Sequence, residues 1–133
     1  MKTAIEDLIH EHKAIQYALN ILEKMSEGVE NNSYTDSSDI NGFLAFLKEF
    51  ADKCHHGKEE GFLFPALEKA GIKKEGGPIG AMLFEHTRGR NYLKQMQNSI
   101  LNSKVDKPLF IQASKDYISL MRSHFQTENN VLI

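Results

Sequence analysis

The stretch from Cys54 to Gly71, CHHGKEEGFLFPALEKAG, sets two adjacent histidines ahead of two adjacent glutamates. Each histidine has a glutamate four residues on: His55 with Glu59, and His56 with Glu60. On a helix, residues four apart lie one above the other. Either pair therefore offers one imidazole and one carboxylate to a single metal ion. Adjacent side chains on an α-helix diverge by about 100°, so one pair faces inward and the other outward. His56 has Glu49, Asp52 and Lys53 upstream, a face for water. His55 has Leu44 and Ala51 upstream, and Phe62 and Ala66 beyond Glu59. These neighbours predict that His55 and Glu59 point into the core and that His56 and Glu60 are exposed.

The same test sorts the remaining histidines. His10 has Glu6, Asp7 and Lys13 beside it and should be exposed. His12 has Leu8, Ile9 and Ile15; His86 has Met82 and Leu83 one turn back; His124 has Leu120 and Met121 one turn back and Glu128 one turn on. One inward histidine thus falls on each helical stretch, and two of them carry an inward glutamate at i+4. A single core histidine is usually just hydrogen-bonded packing, and an i,i+4 pair is ordinary helix decoration. Two buried glutamates are different, because an uncompensated buried carboxylate is costly. The combination calls for a cation. A weak internal repeat agrees: Glu11–His12 precedes HHGKEEGFLF, and Glu85–His86 precedes HFQTENNVLI. Cys54 points about 100° away from His55 and is not a ligand.

Four amphipathic stretches must hold these residues. The first, TAIEDLIHEHKAIQYALNILEKM, opens with a Thr3–Glu6 capping box and buries Ile5, Leu8, Ile9, His12, Ile15, Leu19 and Leu22. SEGVENNSYTDSSD reads as a loop. The second stretch runs from about Asp39 to Ala70 with Phe43, Leu44, Leu47, Phe50 and Ala51 on one face. Pro65 lies inside it and removes the bond to the Gly61 carbonyl, which predicts a kink or an early end. The third starts at Pro78, with Ile79, Met82, Leu83, His86, Leu93, Met96 and Ile100 as its stripe. After the loop NSKVDKP, the fourth starts near Pro108 and carries Phe110, Ala113, Tyr117, Leu120, Met121, His124, Glu128 and Val131. No stretch alternates as a strand would. The expectation is an all-α, up-down-up-down four-helix bundle, a single domain over residues 1–133.

Composition narrows the function classes. A net charge of −2 with scattered basic residues argues against a nucleic-acid surface. No apolar run approaches the roughly 18 residues of a membrane span. Acidic residues arrive too early in MKTAIEDLIHEHK for a signal peptide, and the single cysteine, Cys54, permits no internal disulfide. A cytoplasmic protein without nucleic-acid or membrane partners is expected.

The inward set is His12, His55, Glu59, His86, His124 and Glu128. Imidazole and carboxylate suit iron, with zinc or manganese as substitutes, and suit calcium or magnesium poorly. Six protein ligands exceed one tetrahedral zinc and fit two metals bridged by carboxylates. Two metals sharing six ligands keep positions for a small diatomic or anionic ligand such as O2, NO or azide.

In spacing, EH on the first helix, H-x-x-x-E-E then LFP on the second, EH on the third and H-x-x-x-E-N then VL on the fourth resemble the hemerythrin-like, HHE cation-binding domains. The resemblance implies a helical bundle with a non-haem di-iron centre. It also implies Glu59 and Glu128 as bridges, and His12, His55, His86 and His124 as terminal ligands. Oxygen-carrying members have two histidines four apart on the third helix, whereas Met82 and Arg90 flank His86 here. That departure predicts one iron short of an imidazole, and places the chain nearer the repair-of-iron-centres proteins. Three readings follow: a module that binds or senses O2 or NO, a redox enzyme or iron donor of the stress-response type, and a metal-stapled structural bundle. Open coordination positions favour the first two. Tyr117 is read as core packing, and Gly57 and Gly89 as sites of close helix approach.

Overall fold

The computed structural model describes residues 4–32, 36–101 and 104–128. The expected Thr3 cap, the Ile5 side chain and Val131 fall outside them.

The first helix, Ala4–Glu30, runs further than the sequence predicted. Ser26 and Val29, expected in a loop, are buried, and Val29 joins the main core. Burial of one valine outweighs the weak helix propensity of its Ser, Gly and Asn neighbours. The chain turns at Asn32, whose φ of 59° is a left-handed conformation asparagine tolerates.

The second helical run begins at Ser37–Leu47, capped by Asp36, whose carboxylate accepts from the amides of Ser38 and Asp39 at 3.0 and 3.2 Å. It then widens into two π-helical segments, Lys48–His56 and Glu59–Leu63, before closing with the α-helical turns Phe64–Lys69. The Gly57 amide donates to the Asp52 carbonyl and the Phe64 amide to that of Glu59, each five residues back. Pro65 sits in the first turn of Phe64–Lys69, immediately after the second π segment. The helix passes the proline and continues to Lys69.

The third helix, Pro78–Asn98, starts with its proline at the first position, as expected. The connection after it holds a two-residue hairpin that the sequence did not reveal. Ile100–Leu101 pairs antiparallel with Lys104–Val105. Strands this short carry no alternation to detect. The fourth helix, Lys107–Thr127, is capped by Asp106.

The described residues are all-α apart from that hairpin and the connecting turns. The fourth helix packs on both the first and the third, and the second run packs on the third and the first, so the four enclose a common interior. The larger core cluster includes Ile15, Leu19, Leu22, Ile40, Leu44, Leu47, Met96, Phe110, Tyr117 and Phe125. A smaller one gathers Leu8, Leu63, Phe64, Ile79 and Met82. Tyr117 belongs to the first, as packing. Gly89 is a close approach: a Cβ there would come 2.9 Å from Met121 Cε. Gly57 is not, since a Cβ there would meet nothing within 4 Å.

Candidate metal centre

All six side chains expected inward are buried, and they meet in one interior cluster. Their donor atoms fall into two groups. His12, His55, Glu59 and Glu128 form one; His56, Glu59, His86 and His124 form the other. Within each group the donor atoms lie within 4.8 Å of one another. Glu59 belongs to both. Its Oε1 lies 3.0 Å from His86 Nε2, and its Oε2 lies 3.5 Å from His55 Nε2 and 3.6 Å from His12 Nε2. Glu128 Oε1 lies between His12 Nε2 at 3.1 Å and His124 Nε2 at 3.3 Å.

His56 corrects the sequence reading. Expected at the surface, it is 3% exposed and stacks on His86 with ring centroids 3.7 Å apart and planes 9° from parallel. The cause is the π-helical turn. A wider turn reduces the angle between successive side chains, so both adjacent histidines share the inner face. The same widening shifts the register beyond the site. Phe62 and Ala66, expected inward, are exposed, Phe62 by 75%, and Leu63 and Phe64 are buried instead. Asp52, four residues before His56, was read as the mark of a wet face. It is the carboxylate that faces His56 Nδ1, at 3.9 Å. An acid at i−4 from a histidine was the available signal.

Around the cluster, carboxylates face the outer ring nitrogens. Glu11 Oε1 is 2.8 Å from His55 Nδ1, Glu60 Oε2 is 2.7 Å from His86 Nδ1, and Glu85 Oε1 is 2.9 Å from His124 Nδ1. Glu60, expected to be solvated decoration, is only partly exposed. An Nδ1–H donated outward leaves Nε2 as a lone-pair donor aimed inward, the arrangement a metal requires. The two EH motifs serve the same end in each half: Glu11 supports a histidine on the second run, and Glu85 one on the fourth helix. His10 is exposed, as expected, and Cys54 is exposed too.

The interior is built to accept positive charge. Both oxygens of Glu59 and of Glu128, His55 Nε2 and both ring nitrogens of His56 are buried without a hydrogen bond. Buried polar atoms in that state cost about 1–3 kcal/mol each. Burial pushes the Glu59 carboxyl up to about 9, and Glu128 beside it adds to the rise. Burial also opposes ionisation of Glu128, but the His12 and His124 rings close beside it carry it the other way, below the usual range. One proton thus rests on the carboxylate pair. Burial drives His55 and His86 down to about 4, and His56 well below its ordinary value. His124 also feels burial, but the Glu128 and Glu85 carboxylates outweigh it and raise it. Imidazoles kept neutral by burial at His55, His56 and His86, around acids that cannot both ionise unaided, are a fit for divalent cations, with Glu59 able to touch two.

An uncharacterised protein of Mycobacterium bovis and two of Mycobacterium tuberculosis are each 25% identical over 138 residues, covering 98% of this chain. The chain spans about half the length of these curated relatives, 52% of each. No solved structure matches it. The family model described as the hemerythrin HHE cation binding domain matches residues 3–133. The chain belongs to the hemerythrin HHE cation-binding family.

Proposed function

We propose that this domain holds a carboxylate-bridged di-iron centre in an up-down-up-down four-helix bundle, and that it binds or senses O2 or NO. The observation that carries the proposal is Glu59, the one side chain common to both donor groups. A carboxylate reaching two sets of donors is the shape of a two-metal site. Mixed imidazole and carboxylate donors favour iron and accept zinc or manganese. Bound there, two irons would supply a redox-active pair with room for a small exogenous ligand.

The residues themselves divide the work. The first group offers two imidazoles, His12 and His55, and the second offers three, His56, His86 and His124. With their carboxylates counted, each group offers four side chains, so an ion in either would keep positions for O2, NO or azide. The Phe125 ring packs 4.7 Å from His12 and 5.9 Å from His55, an apolar wall that keeps water from the first group. Glu11, itself held by Lys58, fixes the His55 ring. The exposed, free Cys54 thiol fits a reducing compartment such as the cytoplasm.

An anaerobic titration of the ferrous protein with O2 and with NO, read by optical spectra, tests the proposal. A reversible charge-transfer band with either gas supports binding. Irreversible oxidation with turnover transfers the protein to the redox or iron-repair reading, and no response to either gas leaves a structural staple.

A further inference from the structure

Arg90 is, with Met82, one of the two positions flanking His86 where the resemblance called for a second histidine on the third helix. It does not face the interior. Its side chain is 40% exposed, and it joins two carboxylates of the second helical run. Nε donates to Asp52 Oδ1 at 2.6 Å and Nη2 to Glu60 Oε2 at 2.8 Å. These are the two carboxylates that face the stacked histidines. Glu60 Oε2 is 2.7 Å from His86 Nδ1. Asp52 Oδ1 lies 3.9 Å from His56 Nδ1, facing it but beyond a hydrogen bond. One guanidinium thus spans the outer edge of two parallel imidazoles from different helices.

We propose that Arg90 is a positioning residue of the three-imidazole group: by clamping Glu60 it fixes the orientation and the Nδ1–H tautomer of His86, the ring on which His56 stacks, and it holds Asp52 against the edge of His56. The planar fork matters, because a guanidinium places two donors in fixed directions whereas an ammonium is a point charge. In the other group, Lys58 holds Glu11, and through it His55. The clamp therefore acts on one half of the centre. This rests on the two-metal reading for its effect on metal affinity, but not for its effect on the histidine rings.

The test uses Arg90→Gln and Arg90→Lys in the full chain. Arg90 is partly exposed, so neither change removes core packing. In metal-free protein labelled with 15N in histidine, at a pH where free imidazole is neutral, ring-nitrogen shifts report the tautomer. Arg90→Gln should move His86 away from Nδ1–H while His55, held by Glu11, stays put; Arg90→Lys should fall between. Titration with Zn(II) against a chromophoric chelator then reads the two equivalents separately. The expected result is one equivalent weakened by roughly 10- to 100-fold and the other unchanged. Unmoved ring shifts, or equal weakening of both equivalents, would overturn the proposal. Should the parent bind fewer than two zinc ions, the two-metal reading fails, and the ring shifts of the metal-free protein still decide the clamp.

Discussion

Replacing His56 by leucine separates a packing histidine from a metal-facing one by the sign of its effect. In the metal-free protein both ring nitrogens of His56 are buried without a hydrogen bond. Each such atom costs about 1–3 kcal/mol, although Asp52 at 3.9 Å relieves Nδ1 in part. Leucine has a comparable volume and no polar atoms. It forfeits the ring stack on His86, worth about 0.5–1.5 kcal/mol. The balance is a metal-free variant more stable than the parent by about 1–2 kcal/mol. At about 3–5 °C per kcal/mol for a chain of this size, that is several degrees in Tm. With metal the sign reverses. The parent gains the free energy of two bound ions, while the variant has lost a donor from one group and with it most of that ion's contribution. The assay is thermal unfolding followed by circular dichroism, once in chelator and once with ferrous iron under anaerobic conditions. A His56→Leu protein destabilised in chelator, yet equally stabilised by iron, would show His56 to be ordinary core and refute the reasoning.

Two further outcomes follow from the same geometry. Glu59→Gln should strip both ions, because its carboxylate belongs to both donor groups, whereas His55→Ala should chiefly weaken the first; metal analysis of the two variants checks this, and retention of one tight ion by Glu59→Gln would remove the bridge. The stability of the metal-free protein should peak near pH 6.5. Between about 4 and 6.5 the unfolded chain binds protons at His55 and His86 that the folded chain refuses, so stability rises with pH there. Glu59, with a folded value near 9, works the other way from about 4.5 upward, contributing stability that is lost as pH rises. Below 6.5 two histidines outweigh one carboxylate, and above it only the decline remains, to which the raised His124 adds. Denaturant midpoints across this range check it, and a steady rise to pH 9 would mean that Glu59 holds no proton.

Much of this arrangement was legible because a helix repeats. The 3.6-residue period placed His12, His86 and His124 on the apolar stripes that bury them, and Pro78 marked the start of its helix. The reading failed where the period changes. Nothing in residues 48–63 announces an i→i+5 turn, and an α-helical register carried through it turned His56 outward and Phe62 inward, the reverse of the structure. What stabilises the wider turn is the interior itself, which draws His55, His56 and Glu59 to one side, and local propensity does not record a demand made by three other helices. The Arg90 bridge was hidden for a related reason. Its partners, Asp52 and Glu60, lie 38 and 30 residues away and look like surface charge until the helices are packed.

The central claim is that Glu59 stands between two metal ions in one interior. Iron analysis of the purified, fully loaded chain tests it most directly. The account predicts saturation at two irons per chain with both bound in the parent and both lost in Glu59→Gln; saturation at one iron in a fully helical parent would contradict it.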